Sequence, residues 1–294
     1  MSWFRPYTHK CIANRAGFGV VDLLIAVTIT ASAVATTAGL FQGSHRFLID
    51  QQQQIEATQN ARAALDAMVR DLRLSGACLP VTGDFMCIDA STSTVNGNSE
   101  DQIWTRTGLV RPNLSCVTSA TTTSTPAVGS SVVVQSVDGF GVGMRAYIRG
   151  NANTGEYFDV TSVTTGTNTL GRSVNLSTTY AIGSGVYAID ERHYFIQHQT
   201  NHKGADTPIL MQQVGAQTAQ AFATGIEALD FQYELNRNCT PCDVTPMPAS
   251  DNEWRLVKQL YVSVTARSDS VSPMNGQFYR RTITVGVKPR NLVP

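Results

Sequence analysis

The chain has 294 residues, 42% hydrophobic and 15% charged, enough to bury a sizeable core and too many for one minimal domain. Its 22 Lys and Arg balance 22 Asp and Glu, which leaves no electrostatic case for nucleic acid as a main partner. Sparse charge with abundant Gly, Thr and Ser suits an exported, β-rich protein better than a cytosolic helical one.

Residues 1–17 are polar and basic, with Arg5, Lys10, Arg15 and no acid. Their removal leaves 19 basic against 22 acidic residues, about −3. A positive leader before an apolar run holds that end in the cytoplasm. Residues 18–41 then supply about 24 mostly apolar positions, enough to cross a bilayer at about 1.5 Å per residue. An ordinary signal anchor, or a secretory signal cut after Ala31-Ser32-Ala33, would account for the apolarity. Neither accounts for Asp22, because a carboxylate in an apolar helix costs about 2.5–3.5 kcal/mol on insertion scales and is tolerated when it has a partner.

The helical pattern continues in polar form from Gln42 to Gly76, so that the whole helix from Phe18 would span about 59 residues or roughly 89 Å. Gly43 is a weak point, worth about 1 kcal/mol relative to Ala. Ala61, Leu65, Met68, Val69 and Leu72 form one apolar stripe, on which a sheet can pack. Arg62, Asp66 and Arg70 run down another face at i, i+4 spacing and read as a solvated surface. Gly76 suits a helix C-cap, and Pro80 stops any continuation.

Residues 77–125 are rich in Thr, Ser, Gly and Asn. The stretch from Gln102 to Arg106 is the clearest strand there, the rest reads as a loop region held by disulfide, and Thr118 to Thr125 reads as low-complexity linker. Residues 126–190 read as a small inserted β unit of short strands punctuated by glycines. Residues 191–294 return to longer strands with period-two alternation, in which Phe231, Tyr233, Leu235 and Leu260, Val262, Val264 can face the helix stripe.

Cys11 lies in the leader, leaving Cys78, Cys87, Cys116, Cys239 and Cys242 as an oxidising-compartment set. The sequence leaves their pairing open. The expected bridges are Cys239 with Cys242 and Cys78 with Cys87, with Cys116 left over. The Cys239-Thr-Pro-Cys242 spacing also fits a thioredoxin-like redox pair. Its Pro-rich loop between two strands lacks the helix N-terminus that redox chemistry needs, so a structural clip is expected. No zinc set is complete, because no second pair has matching spacing. His193, His198 and His202 invite a metal reading, but positions 193 and 198 face opposite sides of a strand. Gly139-Phe-Gly141-Val-Gly143 lacks the strand–helix context of a phosphate loop. No metal or cofactor is expected, nor an enzyme: no nucleophile elbow, zincin motif or P-loop is present.

The run Arg15-Ala16-Gly17-Phe18-Gly19-Val20-Val21-Asp22-Leu23-Leu24-Ile25-Ala26 resembles the class III prepilin signal of type IV pilins and type II secretion pseudopilins. The resemblance implies cleavage between Gly17 and Phe18 by a prepilin peptidase and N-methylation of Phe18. Asp22 takes the fifth mature position, where the family usually has Glu, one methylene longer. There it would meet the free α-amine of a neighbouring subunit, whose ordinary pKa is about 7.7–8.0, and fix the axial register of assembly.

The helix end from Asn60 to Gly76 and the closing stretch from Arg280 to Asn291 resemble PilW-type minor pilins and J-type pseudopilins. Likeness covers the first 76 residues and, less fully, about the last 70. It implies an α+β, type IV pilin-like fold: residues 18–76 a long helix, with 18–41 in the membrane or filament core, packed on an antiparallel sheet head. It also implies a single-pass inner-membrane protein with a periplasmic head that ends near a pilus or pseudopilus tip. The implied partners are other minor and major pilins, the prepilin peptidase and the inner-membrane assembly platform. The rival from another class is a membrane-anchored periplasmic β protein that binds a ligand.

Overall fold

The computed structural model describes residues 19–80, 85–95, 98–113, 115–150, 154–200, 206–236 and 244–289. One long helix, α1 (Val20–Leu74), precedes the strands β1 (Ile88–Val95), β2 (Asn98–Gly108), β3 (Thr118–Ala120), β4 (Ser131–Val133), β5 (Arg145–Arg149), β6 (Gly155–Thr164) and β7 (Thr169–Arg172). After them come β8 (Gly185–Thr200), β9 (Asp206–Val214), β10 (Gln220–Thr224), β11 (Ile226–Leu235) and β12 (Val244–Thr245). A single turn, α2 (Asp251–Trp254), leads into β13 (Val257–Val271) and β14 (Phe278–Val287). This is an α+β chain, a long N-terminal helix followed by a mostly antiparallel β domain. It divides into two units, residues 1–50 and 51–294.

In the first unit α1 runs unbroken through Gly39 and Gly43. Every residue from 19 to 48 is exposed, including Leu23, Leu24, Ile25, Val27, Leu40 and Phe41. Water is a poor solvent for such a surface, at roughly 25 cal/mol per Å² of apolar area. Five of the six hydroxyls in this segment are turned back onto the helix. Thr28, Ser32, Thr36 and Thr37 donate to carbonyls three or four residues back at 2.8 Å, and Thr30 does the same to Ala26. A hydroxyl satisfied in this way adds little cost to an apolar surround.

In the second unit the stripe expected on the helix is the one that is buried. Ala61, Ala64, Leu65, Met68, Val69 and Leu72 join Phe231, Tyr233, Leu235, Leu260, Val262 and Val264 in one core. Arg62, Asp66 and Arg70 stay exposed. The helix ends as its chemistry dictates: Gly76 takes φ of +80°, and its N–H donates to the Arg106 carbonyl at 2.8 Å.

Two sheets build the head. A four-stranded sheet in the order β12-β11-β13-β14 covers the helix stripe. A ten-stranded sheet runs β1-β2-β8-β5-β6-β7-β4, with β3, and β9 with β10, branching from β8. The 16-residue strand β8 is its spine. Residues 185–189 pair with β5, and 185–187 also with β3; further along, 189–194 pair with β2 and 192–200 with β9.

A second core gathers Val132, Val134, Phe140, Ile148, Phe158, Val160, Leu170, Tyr180 and Val186. It falls within the region expected to be an inserted unit, but the expected boundary at 190 lies inside β8 rather than between elements. The expected linker from Thr118 to Thr125 is ordered structure instead. It holds β3, and Thr121 and Thr125 bridge to Val134 and Tyr180. Those two threonines are buried, both about 1% exposed, while Thr118, Thr122 and Thr123 face outward, so the stretch alternates buried and exposed β-branched residues.

Candidate functional site

The candidate assembly residue, Asp22, sits three residues into the helix start. Its Oδ2 accepts from the Gly19 N–H at 3.3 Å, while the Gly19 carbonyl accepts the N–H groups of Asp22 and Leu23 at 3.0 and 3.3 Å. This is the reach-back half of a capping box, and a carboxylate there also faces the positive end of the helix dipole. Asp22 therefore has a partner within its own chain, where the apolar run alone offered none. Gly17 and Phe18, the expected cleavage pair, lie outside the described residues.

Cys78 is joined to Cys116, not to Cys87, with Cα atoms 5.4 Å apart across 38 residues of sequence. Cys78 follows the helix cap at φ of +61° and lies against Gly108, where a Cβ would fall 2.7 Å from the Cys78 Cβ. Beyond Gly108 the chain doubles back through a Val110–Cys116 bridge, which delivers Cys116 to the same spot. Cys87 instead points into the main core beside Ile88 and Ile103 as a free thiol. Cys239 and Cys242 lie outside the described residues.

Burial pushes the Cys87 thiol up to about 11, against an ordinary 9.0. The folded state thus keeps a proton that the unfolded chain releases above pH 9, so stability falls as pH rises from 9 towards 11. A loss on the order of 2–3 kcal/mol across that window is expected, and is absent in Cys87→Ala. Alkaline urea titrations of both proteins measure it.

Two charged networks that sequence reasoning missed lie inside the head. In the first, Arg106 Nε donates to Glu191 Oε2 at 2.6 Å, with the two side chains 9% and 7% exposed. Arg106 also donates to the Met86 carbonyl at 3.0 Å and lies over the Tyr157 ring at 4.9 Å. Arg145 reaches the other Glu191 oxygen at 3.3 Å. Burial opposes the charge on Arg106, yet Tyr157, Glu191 and Asp89 together hold its pKa above the ordinary value. In the second network Asp71, buried on the helix, accepts from Tyr194 Oη at 2.6 Å and from Arg192 at 3.0 Å, and Gln212 donates to the same tyrosine oxygen at 2.6 Å. The one hint in the sequence was spacing: Asp71 lies three residues past Met68 and seven past Ala64, within the apolar stripe.

The histidines do not converge. His193 stacks between Trp104 and Phe195, with ring centroids 4.0 and 4.6 Å away, and shares a 2.8 Å hydrogen bond with Gln102. Burial lowers its pKa, so the ring is neutral at pH 7. His198 pairs with Asp206 at 2.8 Å; His202 lies outside the described residues. Among the described residues no three metal-ligating side chains gather. The Gly139–Gly143 stretch is a pair of turns before β5, with Gly139 and Gly143 at positive φ and Phe140 in the second core.

The chain matches no family model and no curated protein. By length and composition α1 can cross a membrane, as an anchor or as a signal sequence near the N-terminus.

Proposed function

We propose that the chain is a minor pilin or pseudopilin, processed at Gly17–Phe18 and assembled through its N-terminal helix into a type IV pilus or type II secretion pseudopilus. The observation that carries the reading is the exposed apolar half of α1. It has no cover in its own unit, the hydroxyls from Thr28 to Thr37 bond back along the helix, and its single acid stands at the helix start. Such a surface needs lipid first and neighbouring helices later.

In this reading Asp22 changes partners. Before cleavage it caps its own helix. Afterwards the new α-amine of Phe18 on a neighbouring subunit supplies a full positive charge, which a carboxylate in a low-dielectric surround favours over a backbone N–H. The head provides a rigid body, and its bulky second core suits a tip position better than a repeating shaft, where close helical packing would be obstructed.

The deciding experiment is the mass of the N-terminal peptide from native membranes. A chain starting at methylated Phe18 is expected. A start at Val34 or Met1 would overturn the reading and leave an anchored or exported β protein. Asp22→Leu is expected to cut filament yield at least tenfold while leaving the head folded; unchanged yield would remove Asp22 from assembly. Equal abundance with the major pilin in sheared filaments would overturn the tip position.

A further inference from the structure

One edge of the four-stranded sheet is open. β14 pairs only with β13 among the described residues, so one side of a ten-residue strand keeps its N–H and C=O groups free. Register fixes its faces. Arg281, Ile283, Val285 and Val287 stand opposite Ala266, Val264, Val262 and Leu260, all in the core beneath α1. Thr282 and Thr284 point the other way and bond to Thr265 and Ser263 at 2.8 Å.

The seam between this edge and α1 is grooved at both ends. One groove, about 310 Å³, is lined by Asp66, Val69, Arg70, Arg73, Leu74 and Val285. The other, about 540 Å³, includes Ile55, Thr58, Arg62 and Tyr279. Charge along the seam is lopsided: Arg62, Arg70, Arg73 and Arg281 are exposed, and Asp66 is the only acid lining either groove. Arg70 has only a loose 3.7 Å contact with Asp71.

We propose that β14 accepts an extended, acidic segment of a partner protein as a fifth strand, with its carboxylates on the seam arginines. Backbone hydrogen bonds to the free edge would supply affinity, and alternate side chains would enter the grooves. The dimensions agree. Arg62 and Arg73 are eleven residues apart on α1, about 16 Å along the axis and the reach of about five strand residues. A second copy of this chain fits poorly, because edge-to-edge pairing would set one arginine row against another. This inference does not depend on how the N-terminus is processed.

The test uses the full chain in detergent micelles and a fluorescein-labelled decapeptide, Glu-Val-Glu-Thr-Glu-Val-Glu-Thr-Glu-Val, against its Lys-for-Glu counterpart. The acidic peptide is expected to bind at least tenfold tighter and to slow amide exchange in β14 at least tenfold. Arg70→Glu with Arg73→Glu, both on the exposed helix face, is expected to weaken it at least tenfold. Equal binding of the two peptides, or unchanged exchange in β14, would overturn the proposal. So would β14 protection that appears on raising protein concentration alone, since the occupant would then be a second copy.

Discussion

Replacing Glu191 by Ala is expected to destabilise the head by about 3–5 kcal/mol, because it strands a buried guanidinium. Glu191 is the carboxylate on which Arg106 and Arg145 converge, at 2.6 and 3.3 Å. With it gone, Arg106 retains the Met86 carbonyl, the Tyr157 ring face and a long 3.5 Å contact to Asp89, which is 39% exposed. Of these only Asp89 carries an opposing charge, and it is farther from Arg106 and more exposed than Glu191. The cost therefore reflects an uncompensated ion rather than the net worth of the pair. Arg106→Leu combined with Glu191→Leu is expected to recover part of the loss, since the buried guanidinium goes with its carboxylate, while Arg145 keeps only its 3.8 Å contact with Asp159 and the Met86 carbonyl only the Tyr157 hydroxyl at 3.4 Å. Urea unfolding followed by near-ultraviolet circular dichroism measures all three proteins. A loss below about 1 kcal/mol for Glu191→Ala would mean the network behaves as a solvated one.

Removing the Cys78–Cys116 bridge is the second large effect. Closing a loop between residues 38 apart restricts the unfolded chain by an amount worth about 2–4 kcal/mol. The bridge also ties the turn after α1 to the segment after β2, where Gly108 donates to the Ala77 carbonyl at 2.7 Å. Cys78→Ser with Cys116→Ser is expected to lower the urea midpoint accordingly, and dithiothreitol should do the same to the native protein. Indifference to both would show that the bridge does not form in the native protein. Cys87→Ser carries a different penalty, that of placing a hydroxyl in the main core beside Ile88 and Ile103.

The elements with strong periodicity were the legible ones. The helix stripe from Ala61 to Leu72 and the alternating strands around Phe231 and Leu260 meet in one core, because a 3.6-residue and a two-residue repeat each leave one apolar face to bury. Gly76 likewise marked the helix end through its conformational freedom. What escaped was set by distance in sequence. Arg106 and Glu191 are 85 residues apart and meet only because β2 and β8 pair. Cys116 reaches Cys78 only through the doubling back after Gly108, so spacing along the chain favoured the wrong partner, Cys87. The threonine-rich stretch near 121 looked slack because composition cannot report burial. Around Asp22, the sequence showed the anomaly of an acid in an apolar run, while its capping contact with Gly19 depended on where the helix begins.

β8 has a consequence for how this head could have been built or could be cut. A module inserted into a loop can be removed by rejoining two nearby ends. Here the outer strands hang on the first five residues of a strand whose remainder supports the main core. Excising them would strip β5 and β3 from that stretch and leave a bare, aggregation-prone ribbon projecting from the sheet. The second core is thus a graft sharing its host's grain rather than a bead on a thread, and surgery at either end must spare the strand.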